Sequence, residues 1–478
     1  MLTTNDNAIE VFLRAQIDGS RAGDRLPSVR VLQRRFSASP VTVQRAIRVL
    51  VTEGLVVARP GDGTYVARRV ERETLPVDHR WQTVVLGRAT PTVGGLDHLT
   101  TVASSSTLLL DSGFPDRLLQ SQSLLARFAI RAARRSESWE RCLPEGLLSL
   151  RAVVAAELGN GFEADDVIIA SGAQSAIGVV FRALLRPGDA VVIEDPSYPG
   201  AIAAATLAGL EVVPVPCDAD GVLPDALATV LRRSQARVVF LQPRHANPTG
   251  AVLAVERRAD VLRIARESST FVVEDDWVRD LDLGTATPPP LCTLDPDGHV
   301  IYLRSFSKAT APGVRIAGLV ARGPVAARLR TARLFTDFFA SPLLQSALAE
   351  MLRAPEWPRH VRGLRAELRE RRDVLLGTLA QHAPDLTCVE PAGGVAAWIR
   401  LPDQCDEAAF VAACGARGVR VGAGRPFWLT EPTAGYIRVS FAAAPSDELQ
   451  VAAMRIADSL SDVRHVPGRR PRARTAAR

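Results

Sequence analysis

Near the N-terminus apolar residues recur at helical spacing: Ile9, Phe12, Leu13 and Ile17 predict a helix over Asn7 to Asp18. A second helix is predicted from Ser28 to Phe36, burying Val29, Leu32 and Phe36. After the short turn Ser37-Ala38, Ser39 suits an N-cap and Pro40 a first helical position, opening a third helix to about Glu53. On this helix Val43, Ile47 and Leu50 share the inward face, leaving Thr42, Gln44, Arg45 and Arg48 outward. Gly54 ends it. Leu55-Val56-Val57, the turn Arg59-Pro60-Gly61-Asp62-Gly63 and Thr64-Tyr65-Val66 then predict a hairpin.

Further along, the period changes to short continuous apolar runs. Val167 to Ala170, Phe271 to Val273 and His299 to Leu303 read as buried strands, the second running into Glu274-Asp275-Asp276. Such runs, alternating with helical stretches in a chain of 478 residues, predict an α/β body too large to share one core with the N-terminal segment. Between them, Thr90-Pro91-Thr92, Gly94-Gly95 and Ser104-Ser105-Ser106 mark an irregular linker. The expected division is 1–70, a linker 71–107, a body 108–462 and a basic, disordered tail 463–478. No apolar run is long enough to span a bilayer and Met1 to Glu10 has no signal pattern, so the expectation is a cytoplasmic protein without membrane contact.

Charge adds one point. The net charge is +6, but residues 1–70 carry +5 and 464–478 carry +6, leaving the middle at −5. Two basic ends on a mildly acidic body suit an anionic polymer held at an end. Six scattered cysteines without a CxxC pair are expected to be buried, reduced thiols, and no metal site is expected.

The sharpest chemical signal is a count. Of 58 Lys and Arg residues, 57 are Arg, and the single lysine is Lys308 in Ser305-Phe306-Ser307-Lys308, just after a strand. Arginine replaces lysine for solubility and ion pairs, but its guanidinium does not condense with an aldehyde, as a desolvated lysine amine does. A Schiff base on Lys308 with pyridoxal 5'-phosphate (PLP) is the chemistry this points to. An acid at the end of Phe271 to Asp276 could face the pyridine nitrogen. Candidate phosphate donors are Ser305, Ser307, Arg315 and the amides of Ser171 to Ser175, where a strand turns into a helix.

Taken in order, Ser171 to Ser175, Glu194-Asp195-Pro196-Ser197-Tyr198-Pro199-Gly200, Asn247-Pro248-Thr249-Gly250, Val273 to Asp276, Ser305 to Arg315 and Ile437 to Phe441 resemble the fold-type I aminotransferases. The resemblance implies a mostly parallel central sheet with a smaller C-terminal α/β subdomain. It implies that Lys308 forms the Schiff base, Asp275 pairs with the pyridine nitrogen, Asn247 bonds the ring hydroxyl and Tyr198 stacks on the ring. Ala173, Gln174, Ser305, Ser307 and Arg315 would hold the phosphate, and Arg438 would clamp a carboxylate. Many relatives carry a tyrosine two or three residues after the acid, where this chain has Trp277 and Val278. An indole N–H donates but does not exchange a proton as a phenol does, which puts transamination in doubt.

The first seventy residues resemble the winged helix-turn-helix of GntR-type regulators through Asp24 to Arg30, Ser39 to Arg45, Glu53-Gly54-Leu55 and Gly61 to Val66. That resemblance implies double-stranded DNA contacts from Arg30, Thr42, Gln44, Arg45 and the wing around Gly63. The two halves together resemble the MocR-type subfamily of bacterial regulators. The implied protein is a homodimer that binds promoter DNA and senses PLP or a small amino compound. Two alternatives stay open: an active aminotransferase with an accessory DNA-binding domain, and a degenerate scaffold that no longer binds PLP.

Overall fold

The computed structural model describes residues 4–67, a few positions between 79 and 85, 107–284 and 287–464. Most of the expected linker and residues 465–478 of the expected tail lie outside these. The chain divides into two compact units, Met1–Thr90 and Pro91–Arg478.

In the first unit, helices α1 (Thr4–Asp18), α2 (Val29–Phe36) and α3 (Pro40–Thr52) precede a hairpin of β1 (Val56–Arg59) and β2 (Gly63–Val66). Its core is Ile9, Leu13, Leu26, Leu32, Val43, Ala46, Ile47, Leu50, Val56 and Val66. The inward face of α3 is thus the expected one with Ala46 added. Val29 and Phe36 are only half-buried, because α2 is short and packs mainly through Leu32. Ser39 caps α3: its Oγ accepts from the Thr42 N–H at 3.2 Å. The chain before α2 adds a third strand-like contact to the hairpin, with the Leu26 N–H donating to the Thr64 carbonyl at 2.8 Å.

The second unit is built on an eight-stranded sheet. Its strands are β4 (Val167–Ala170), β5 (Ala190–Asp195), β6 (Glu211–Asp218), β7 (Gly221–Val222), β8 (Val238–Leu241), β9 (Phe271–Asp276), β10 (Val300–Ser305) and β11 (Ala317–Val320), with β3 (Leu108–Leu109) pairing elsewhere. The order is β4-β11-β10-β9-β8-β5-β6-β7. Neighbours from β10 to β6 are parallel, while β11 and β7 run antiparallel. Helices cover both faces, so the central strands are buried throughout and read as unbroken apolar runs. Successive residues still face opposite ways: Val239 and Val272 join one core cluster, Val238 and Val273 the other.

A smaller antiparallel sheet follows, β12 (Ala396–Arg400), β15 (Tyr436–Ser440) and β14 (Gly422–Ala423), with β13 (Val419–Arg420) pairing β3. Helices Glu356–His382 and Ser446–Arg464 pack together beside it. The last helix runs to Arg464, so the expected tail at 463–478 begins with two helical residues. The cysteines are unpaired as expected, but only Cys292 and Cys414 are buried and Cys388 is exposed. None of the described helices is long and apolar enough to cross a membrane.

Candidate functional site

Parallel strands deliver their C-terminal ends to one edge of a sheet, and the candidate residues gather there. β4 leads into Ser171 and Gly172, β5 into Tyr198, β8 into Asn247, and β9 ends with Asp275 and Asp276. β10 leads through Ser305 into Lys308. Because β11 runs the other way, Arg315, just ahead of it, arrives at the same edge.

Lys308 is half-buried, its Nζ 3.6 Å from the centre of the Phe114 ring and 5.7 Å from that of Trp277. Removal from water, with the Arg438 and Arg315 guanidiniums near, pushes its pKa down to about 7 against a weaker pull from Asp275. Asp275 moves the other way, to about 7, because burial outweighs the hydrogen bond it accepts from Gln242. Its Oδ1 is buried without a partner, as are Asn247 Oδ1, Ser307 Oγ and Arg438 Nε. Burial also lowers Arg438, to about 10, in spite of Asp111 nearby.

The phosphate candidates form a cradle. The helix Ala173–Leu184 starts at Gly172, whose φ is +92°, and a Cβ there would lie 2.6 Å from Arg315 Nη2. Glycine therefore lets the guanidinium close on the helix N-terminus, where free N–H groups and the dipole favour an anion. No carboxylate pairs with Arg315 among the described residues, and the side chain stays exposed. Ser305 and Ser307 are buried close by in sequence. Gln174 is turned toward Tyr198, which donates its phenol hydrogen to Gln174 Oε1 at 3.0 Å, while Gln174 Nε2 donates to the Gly200 carbonyl at 2.7 Å. Gly200 makes room for this, since a Cβ would meet the Tyr198 ring at 2.3 Å.

Trp277 Nε1 donates to the His245 carbonyl at 3.0 Å and is committed there. Val278 is buried. Sequence reading missed Gly113 and Phe114, which approach Lys308 from a loop with no periodic signal, and a Cβ on Gly113 would sit 3.6 Å from Nζ. It also missed Gln242, hidden at the end of an apolar strand, and the role of Asp195, which accepts from the Leu429 and Thr430 N–H groups and fastens the smaller sheet's loop to the end of β5.

In the first unit, Arg30, Gln44 and Arg45 are exposed. Thr42 is half-buried and its hydroxyl is 2.9 Å from Ser39 Oγ, so part of its hydrogen-bonding capacity serves the cap. At the hairpin tip, Tyr65 donates to Asp62 Oδ1 at 2.8 Å, and Arg59 and Arg25 flank its ring at 4.8 and 6.0 Å. Gly63 sits against Arg25, whose Nε would be 2.9 Å from a Cβ.

A lysine-centred site on a mostly parallel α/β sheet, preceded in sequence by a separate winged helix-turn-helix, defines a DNA-binding protein with an aminotransferase-type body. Comparison with known proteins agrees in both halves: residues 107–456 match aminotransferase class I and II, and residues 7–66 match the bacterial regulatory proteins of the gntR family. The chain belongs to the aminotransferase class I and II family, with a GntR-type domain fused ahead of it. The uncharacterized HTH-type transcriptional regulator YdfD of Bacillus subtilis is 27% identical over 438 residues, 90% of each chain. The probable rhizopine catabolism regulatory protein MocR of Rhizobium meliloti is 28% identical over 89% of this chain and 87% of its own. Among solved structures, the α-aminoadipate aminotransferase LysN of Thermus thermophilus, complexed with N-(5'-phosphopyridoxyl)-L-leucine, superposes with a TM-score of 0.73 at 28% identity, over 78% of this chain and 96% of its own.

Proposed function

We propose that this protein is a PLP-dependent transcriptional regulator of the MocR type, in which the body holds PLP on Lys308 and the state of that site sets the affinity of the winged helix for promoter DNA. The observation that carries the reading is the set of buried, unpartnered polar atoms around a lysine with a depressed pKa: Asp275 Oδ1, Asn247 Oδ1, Ser307 Oγ and Arg438 Nε. Orphaned buried groups each cost about 1–3 kcal/mol unless a ligand satisfies them, and a phosphorylated hydroxypyridine aldehyde matches this donor and acceptor set. PLP supplies an aldehyde that condenses with amines and a ring that withdraws electrons when its nitrogen is protonated.

In this reading Lys308 is the covalent anchor and Asp275 keeps the ring nitrogen protonated. Asn247 would hydrogen-bond the ring hydroxyl through its side-chain amide, and Tyr198 would cover one face. The amides of Ala173 and Gln174, with Ser305, Ser307 and Arg315, take the phosphate. Arg438 would bind the carboxylate of an amino compound. In the reader, Arg30, Thr42, Gln44 and Arg45 on α2 and α3, with the wing around Gly63, would contact double-stranded operator DNA, Thr42 through whatever capacity its cap leaves. The division into 1–70, 71–107, 108–462 and 463–478 separates these tasks.

A homodimer fits the exposed apolar side chains Trp139, Leu143, Phe335 and Phe338, which are 63–82% exposed. The Cys142 thiol lies 3.9 Å from the Ala340 carbonyl, so these two segments are neighbours. Twofold pairing would present two readers to paired half-sites.

Retention of the anchor and acid favours a second reading, an active aminotransferase, because a lysine near neutrality can carry protons. The commitment of Trp277 to His245 counts against it. Titration of the purified chain with PLP separates the possibilities. A lysine-bound chromophore that changes DNA affinity without being consumed by amino acids supports the regulator. Rapid conversion by one amino acid, with unaltered DNA binding, supports the enzyme, and no chromophore at all rules out both.

A further inference from the structure

We infer that Gln242 is a positioning residue for the cofactor, one buried amide that sets both the acid facing the ring nitrogen and the loop bearing the group that faces the ring hydroxyl. The inference rests on the PLP reading above. Gln242 is 2% exposed and follows directly on β8. Its Nε2 donates to Asp275 Oδ2 at 2.8 Å, and its Oε1 accepts from the Asn247 backbone N–H at 2.9 Å. Its own backbone N–H donates to Glu194 Oε2 at 2.8 Å. The partners fix the orientation of the amide, because an ionised carboxylate only accepts and a backbone N–H only donates.

The consequence is a division of labour at each partner. Asp275 is held through Oδ2, which leaves Oδ1 bare, buried and available to a ring nitrogen. Asn247 is held through its backbone, which leaves Oδ1 of its side chain buried and unpartnered. An apolar residue of equal size would fill the same space but leave the Asn247 N–H and Asp275 Oδ2 without this partner. The amide hydrogen bond also favours the ionised form of Asp275 against burial, and an ionised acid is what a protonated ring nitrogen needs.

The test compares PLP binding and the pH at which the lysine-bound chromophore changes colour in the wild type, Gln242→Met and Gln242→Asn. Methionine keeps the volume, whereas asparagine keeps an amide too short to span both partners. Losing one charge-assisted hydrogen bond should weaken PLP binding about tenfold to hundredfold in both variants. The colour change should move to higher pH by about one unit, since a less protonated ring withdraws less charge from the lysine-bound nitrogen. Melting of the PLP-free proteins reads the fold separately. If a folded variant binds PLP like the wild type, or loses only thermal stability while the colour change stays put, Gln242 is packing and the inference is wrong. A wild type that takes up no PLP overturns the PLP reading, and this inference with it.

Discussion

Capture of PLP by Lys308 should depend on pH in a way no ordinary lysine shares. A lysine with its usual pKa of 10.5 is neutral in only about one molecule in 3000 at pH 7, whereas at a pKa of about 7 roughly half the molecules carry a free amine. The cause is local: burial, then the Arg438 and Arg315 guanidiniums, only partly offset by Asp275. Mixing the PLP-free protein with PLP between pH 5.5 and 9.5 and following the lysine-bound absorbance gives the rate. It should rise about tenfold per unit below pH 7 and level off above it. A rate still climbing tenfold per unit through pH 9 would refute the depressed pKa and the electrostatics behind it. The same shift has a stability sign. The unfolded chain holds the proton up to about pH 10.5 and the folded chain only to about 7, so this residue's destabilisation is complete below pH 7 and fades as pH rises between those values.

Three further outcomes follow from the geometry. Asp275→Asn should weaken PLP binding about 100-fold by equilibrium titration, because a charge facing the ring nitrogen is lost. The same variant should lessen the loss of PLP-free stability as pH rises from about 4 to 7, by removing Asp275's share of it, since only the unfolded chain ionises this acid freely there, while the buried Glu194 and Glu274 keep theirs. Arg30→Ala should lower DNA affinity and flatten its dependence on log salt by about one, the mark of a lost phosphate contact, with PLP binding unchanged. Trp277→Tyr restores a phenol beside the acid, and single-turnover conversion by amino acids should speed up at least about tenfold, while an unchanged rate would mean the indole is not what limits the reaction.

Much of this was legible in the sequence because the signals were local or forced. The Ser39-Pro40 start of α3, the Gly61 to Gly63 turn and the unbroken apolar strands follow from backbone and burial rules acting on a few neighbouring residues. Lys308 stood out because every other cation is Arg. What stayed hidden depends on contacts between distant segments. Phe114 reaches Lys308 from a loop almost two hundred residues earlier, Gln242 binds Asp275 from the neighbouring strand, and Asp195 ties down the Leu429 loop. None of these has a periodicity or a spacing to read, because only the tertiary fold makes them neighbours. The cap that draws Thr42 partly away from solvent is of the same kind, a tertiary and capping detail beneath a correct helix boundary.

The central claim is that the lysine site governs the reader. Its most direct test is the affinity of the full chain for genomic fragments it selects, measured with and without PLP for the wild type and for Lys308→Ala. The account predicts that PLP changes wild-type affinity by about 5- to 150-fold, a coupling of roughly 1–3 kcal/mol. Lys308→Ala should keep its fold and basal DNA binding but lose the response. Equal wild-type affinity with and without PLP, or a full response in Lys308→Ala, would contradict it.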